Sequence, residues 1–247
     1  EVGEGNRKDI RNAVEAAHKQ TAWPKATAHN KAQVLYYIAE NLEAPASEFT
    51  ARIPSMTGVG PDQAAAEVAA TVRRLFSYGA WADKFEGRVH APPLRNVTLA
   101  MNEPIGVLGV VCPDDRPLLS FVSLVAPAIA MGNRVVALPS QRHPLAATDL
   151  YQVLDTSDLP GGVLNIVTGE SAGLSKVLAG HDGVDAIWYV GPEAGSKQIE
   201  ALSIGNMKRT WVNDGRRRNW MNPRQGEGRE FLREAVQVKH IWVPYGE

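Results

Sequence analysis

The chain reads as an α/β protein built on a doubly wound parallel sheet, with a helical lobe ahead of the sheet and two strands outside it. Three observations predict this. Between Ile105 and Val212, short and continuous apolar runs alternate with helical stretches, the pattern of parallel strands covered on both faces. Before Asn96, apolar residues recur instead at helical spacing. After Asp214 the sequence turns polar, and apolar character returns only in a last segment that ends in an alternating strand.

The elements follow in order. Over residues 7–20, Ile10, Val14 and Ala17 fall on one helical face; over 31–53, Val34, Leu35, Ile38, Leu42 and Phe49 do the same. Gly58-Val59-Gly60-Pro61 breaks the pattern. Val68, Val72, Leu75 and Tyr78 then mark the buried stripe of a third helix over 64–83. The Pro92-Pro93 pair closes this lobe, which spans 1–93. Val97 to Met101 is a strand interrupted by Pro104, so 94–104 forms a flap. A strand over 105–111 and a helix over 118–131, stopped by Gly132, open the sheet domain. Strands over 134–138, 163–167, 186–190 and 209–212 alternate with helices over 145–154, 174–178 and 195–202. Together they make a Rossmann-like domain over 105–214. Residues 215–230, rich in Gly, Pro and Arg, read as a loop. Residues 231–247 hold a short helix, 231–236, and a closing strand, 238–243.

Composition narrows the function. The 247 residues are 44% hydrophobic and 21% charged, with a formal net charge of -1. That balance gives no electrostatic case for nucleic acid or an anionic membrane. The longest apolar stretch, 118–131, is interrupted by Ser and Pro and is too short to cross a bilayer. One cysteine excludes an internal disulfide framework and fits a reducing compartment; the expected location is cytoplasmic. The six histidines are scattered, and none is spaced with Cys112 as a metal ligand would be. The opening at Glu1, without an initiator Met, reads as a piece of a longer chain.

Several blocks carry a family resemblance. Phe76 to Gly87, Asn102-Glu103-Pro104-Ile105-Gly106-Val107, and Leu159-Pro160-Gly161-Gly162-Val163-Leu164-Asn165-Ile166-Val167-Thr168-Gly169 stand in order and at matching separations. Together they resemble the aldehyde dehydrogenase superfamily. The resemblance implies a large nucleophile-bearing domain after Asp214, and there is room only for the 215–230 loop. It also implies that the closing segment, similar to Leu232 to Val243, pairs with the 97–101 strand as a β-flap oligomerisation arm. This layout resembles the shortened, non-catalytic second unit of the family-16 aldehyde dehydrogenases. The implied role is structural, with another dehydrogenase domain of the same chain or a second subunit of a homo-oligomer, a dimer, as partner. The candidate interface residues are Val97, Leu99, Val238, His240, Ile241, Trp242 and Val243.

The resemblance also places the chemistry. Asn213 stands where the family has its general base Glu, and a neutral amide takes no proton near neutral pH. Asp115 replaces the Asn that helps hold an oxyanion, and a carboxylate repels such a charge. Leu138 replaces the Lys that binds ribose hydroxyls. Pro192, without an N–H, replaces a phosphate-binding Ser, although Pro suits a helix start. Cys112 lies outside the nucleophile's segment and reads as a small buried residue. No catalytic residue and no cofactor is therefore expected for this segment. NAD is implied for a longer parent dehydrogenase whose active site lies upstream. Two other readings stay open: a degenerate nucleotide-binding regulatory module, and a lobe completed by residues from elsewhere in the parent. Arg216-Arg217-Arg218 reads as a solvated or interface loop. The scattered Trp residues read as core or interface anchors.

Overall fold

The computed structural model of the protein describes residues 2–245; Glu1, Gly246 and Glu247, at the outer ends of the first and last predicted segments, lie outside them. Helix α1 (Arg7–Lys19) opens on a capping box in which Asn6 and Asp9 satisfy each other's backbone N–H groups. Helix α2 (Ala28–Glu43) starts at Thr27, whose hydroxyl accepts from Asn30. The single helix expected over 31–53 is two. Pro45 has no N–H to continue a helical ladder, and it stands instead at the start of α3 (Ala46–Thr57). Helix α4 (Pro61–Ala82) is the longest, at 22 residues.

The chain next enters a strand before the prolines expected to close the helical lobe. Strand β1 (Arg88–His90) pairs antiparallel with β2 (Asn96–Pro104), with Val89 opposite Leu99. Pro104, expected to interrupt β2, is its last residue. Strand β3 (Val107–Val111) starts two residues later than expected, because the N–H groups of Ile105 and Gly106 both go to Asn133 Oδ1, at 2.7 and 3.0 Å. Helix α5 (Pro117–Ala130), β4 (Arg134–Leu138), α6 (Leu145–Asp155), β5 (Leu164–Ile166), α7 (Ser171–Ala179), β6 (Ala186–Tyr189), α8 (Glu193–Leu202) and β7 (Arg209–Val212) follow in alternation. The segment expected as a loop holds a helical turn, α9 (Pro223–Gly226). The closing helix α10 (Arg229–Glu234) precedes β8 (Val236–Pro244).

The central sheet is parallel throughout, in the order β5-β4-β3-β6-β7, and a separate antiparallel sheet has the order β1-β2-β8. The doubly wound architecture expected from the sequence is thus present. One face of the parallel sheet carries the larger core, where Leu35, Tyr78, Phe121, Trp188 and Phe231 are fully buried under α2, α4, α5 and α10. The other face is covered by α1, α7 and α8 through Ile10, Val14, Leu178 and Ile199. Helix α1, first in the helical lobe by sequence, therefore packs across the sheet from α2 and α4. Among the described residues no helix is long and apolar enough to cross a membrane, and no three His, Cys, Asp or Glu side chains cluster as a metal site.

Candidate functional site: the cleft at the strand switch point

The connections from β3 run to β4 on one side, while β6 returns on the other. Ligands of open parallel sheets bind outside the carboxyl ends of the strands at such a reversal. A cleft of about 920 Å³ lies there, lined by Pro113, Asp115, Gly191, Pro192, Asn213 and Arg216 among others. The structure thus gathers Asp115, Pro192 and Asn213 around one opening. Leu138 is apart, 1% exposed at the end of β4 and packed in the core under α1 and α7.

Asn213 follows β7 and is tied on every side. Its N–H donates to Tyr189 O at 3.2 Å, its Oδ1 accepts from Gly191 N–H at 2.9 Å, and its Nδ2 donates to Arg216 O at 2.8 Å. The turn it anchors runs through Asp214 and Gly215, both left-handed, with φ of 51° and 71°. Gly215 N–H closes onto Gly191 O at 3.0 Å. The amide therefore works as a crosspiece joining the turn after β6 to the turn after β7.

The opposite wall is built around a buried carboxylate. Glu67, on α4, accepts from the N–H groups of Leu118 and Leu119 at 3.1 and 3.3 Å, so it fills the anion-attracting start of α5 from behind. Arg116 reaches the same carboxylate at 3.6 Å. Burial pushes the Glu67 pKa above its ordinary value, while the two N–H donors and Arg116 pull the other way. Asp115 is exposed at the rim. Pro192 caps α8, and Glu193 at the first position of that helix holds Lys197 at 2.6 Å.

Cys112 is 6% exposed, its N–H bound to Leu138 O at 2.9 Å and its side chain in the larger core. Burial drives its thiol pKa far above the ordinary value, so the group is a neutral thiol. The expectation of a small buried residue is borne out.

Sequence reading missed what fills the region after β7. Arg74, 2% exposed on α4, pairs with Glu227 at 3.1 Å and donates to Trp220 O at 3.1 Å, to Gly226 O and to Ser123 Oγ. Arg218 lies over the rings of Trp211, Trp220 and Phe231 at 5.1–5.9 Å and also pairs with Glu230 at 3.2 Å. Trp220, Phe231 and Leu232 are buried. Residues 215–235 therefore form a packed cap. A signal was available: Glu67, Thr71, Arg74 and Tyr78, all buried, recur on one face of α4 at helical spacing. Of the arginine run, Arg216 and Arg217 are exposed and Arg218 is not.

The arm is geometrically complete. β2 and β8 pair over nine residues, from Asn96 opposite Pro244 to Pro104 opposite Val236. Residues directly opposite share a face, so Val97, Leu99, Ile241 and Val243 stand together with Val89 and Met101. Val89, Val97, Met101 and Val243 are exposed. Val238, His240 and Trp242 occupy the other face, and Trp242 is 57% exposed. Among the described residues no strand pairs with the outer edge of β8.

Residues 1–218 match the aldehyde dehydrogenase family. An aldehyde dehydrogenase of Agaricus bisporus is 30% identical over 84% of this chain and 42% of its own length. Aldehyde dehydrogenase family 2 member B4 of Arabidopsis thaliana is 34% identical over 83% of this chain and 39% of its own. The solved NAD-dependent aldehyde dehydrogenase of Sinorhizobium meliloti superposes with a TM-score of 0.81 at 25% identity, over 85% of this chain and 42% of that one. The chain spans less than half the length of the curated relatives it matches. It belongs to the aldehyde dehydrogenase family.

Proposed function

We propose that this chain is a non-catalytic, structural unit of the family whose arm pairs with a sheet of another dehydrogenase domain or of a second copy. The observation that carries the reading is Asn213. At the position the family resemblance gives to the general base stands an amide with both polar ends already hydrogen-bonded to backbone. Other features support it. The one thiol is buried and neutral. Leu138 is sealed in the core and offers no donor to a ribose, and Glu193 sets a carboxylate beside the α8 start where a pyrophosphate would need cations. These residues do not suit a nicotinamide dinucleotide, so any NAD-dependent oxidation is assigned to a longer parent with its active site elsewhere. The layout fits the shortened second unit of the family-16 enzymes, in a reducing, cytoplasmic setting.

The arm supplies the positive part of the role. An uncovered strand edge beside an apolar face is stable only when covered or paired. Sedimentation of the 247-residue chain should show a dimer, and Val97→Lys with Val243→Lys should return it to monomer or turn it to aggregate. A monomeric 247-residue chain, or a double variant that assembles unchanged, overturns pairing between copies. A second reading, a degenerate nucleotide-binding regulatory module, draws on Arg216 and Arg217 at the open cleft. Low-micromolar binding of NAD, about -8 kcal/mol, would favour it over the structural reading.

A further inference from the structure

On the sheet face opposite the cap, α1, α7 and α8 leave a groove of about 960 Å³. Its floor is Val177 and Leu202 beside Gly180, and its walls carry Arg7, Lys8 and Arg11 from α1 and Lys176 from α7. A second groove of about 580 Å³ shares Arg11 and His181 with the first and continues along α1 past His18 and Lys19. The strip follows the whole of α1, whose 13 residues span about 20 Å at the helical rise.

Among the described residues Arg7, Lys8, Lys19 and Lys176 make no ion pair. Arg11 meets Glu15 only at 3.9 Å, with both side chains exposed. Asp182 is the one carboxylate lining the first groove and Glu15 the one lining the second, and Asp9 is committed to the capping box. The placement also works against the fold. Arg7 and Lys8 sit in the first turn of α1, the positive end of its dipole, where cations are unfavourable, and Arg11 follows in the second turn. The chain as a whole carries a net charge of -1, so the cluster does not reflect a generally basic composition.

We propose that this strip binds an extended acidic peptide segment bearing apolar side chains. Negative charge along such a segment relieves the cations and the α1 dipole together, and its apolar side chains have Val177 and Leu202 to cover. The strip is open along its length, unlike the enclosed clefts that take small molecules. No Phe, Tyr or Trp lines either groove, so single-stranded nucleic acid finds no stacking platform.

The test is fluorescence anisotropy of a dye-labelled peptide of Glu-Glu-Leu repeats, with its Gln-Gln-Leu counterpart and an oligouridylate strand as comparisons, all against the full 247-residue chain. The acidic peptide should bind about tenfold or more tighter than either comparison and weaken with salt. Arg7→Glu with Lys8→Glu should lose that binding about tenfold while holding or raising the Tm, since acids suit a helix start. Lys176→Glu, on a different helix, should weaken it independently. Equal binding of the Gln peptide, tighter binding of the oligouridylate, or full binding by both charge-reversal variants overturns the proposal.

Discussion

Asn213 has a structural role that its place in the sequence did not announce. Its two side-chain hydrogen bonds hold the turns after β6 and β7 together. Neutral bonds of this kind contribute about 0.5–1.5 kcal/mol each, so Asn213→Ala should lower unfolding stability by roughly 1–3 kcal/mol in chemical denaturation. An amide without these structural bonds would leave stability unmoved on truncation. That an amide rather than a carboxylate stands directly after β7 was legible in the sequence. The new bonds were not, because they depend on Gly191 and Arg216 arriving from other parts of the chain.

Glu67 gives a second test at the same scale. Its pKa is raised in the folded state, chiefly by burial, so folding favours its protonated form. That contribution is fully present below the ordinary carboxylate range and is lost as pH rises through the folded value. Glu67→Gln keeps an oxygen for the Leu118 and Leu119 N–H groups and removes the titration. The Tm of the variant relative to the parent should therefore improve from pH 4 to pH 7.5. A difference that stays flat across that range contradicts the assignment.

At the scale of elements, the strands and helices of the parallel sheet were readable because each carries its own period. Val107–Val111 and Val135–Leu138 are continuous apolar runs, α1 and α4 carry buried stripes, and α5 is apolar and buried on every side. What local pattern could not supply was the division at Pro45 within 31–53, or the strand β1, three exposed residues with no apolar alternation. The cap was least legible. Its order comes from Arg74, more than a hundred residues upstream, and from Arg218 on three aromatic faces. Arg74→Met leaves Glu227 and the carbonyls of Trp220 and Gly226 without their partner. Glu227 is partly exposed, so the cost falls below the about 3–5 kcal/mol of a fully buried pair broken from one side, and the loss should appear as a lower Tm together with red-shifted tryptophan emission as Trp220 meets water. A blue-shifted or unchanged spectrum at an unchanged Tm sinks the clamp.

On the scale of the whole molecule, the fold covers about two fifths of a solved aldehyde dehydrogenase and yet closes on itself. The cap packs against α4 and α5, and the arm stays paired within its own chain. The arm's apolar face and the outer edge of β8 stay uncovered among the described residues, and on that ground we propose an assembly role. The proposed lack of catalysis is open to direct measurement. Aldehyde-dependent reduction of NAD by the 247-residue chain, and by Asn213→Glu, should stay at the rate of a mixture without protein. Turnover above that background, lost in Cys112→Ala, would show that the chain is a catalyst.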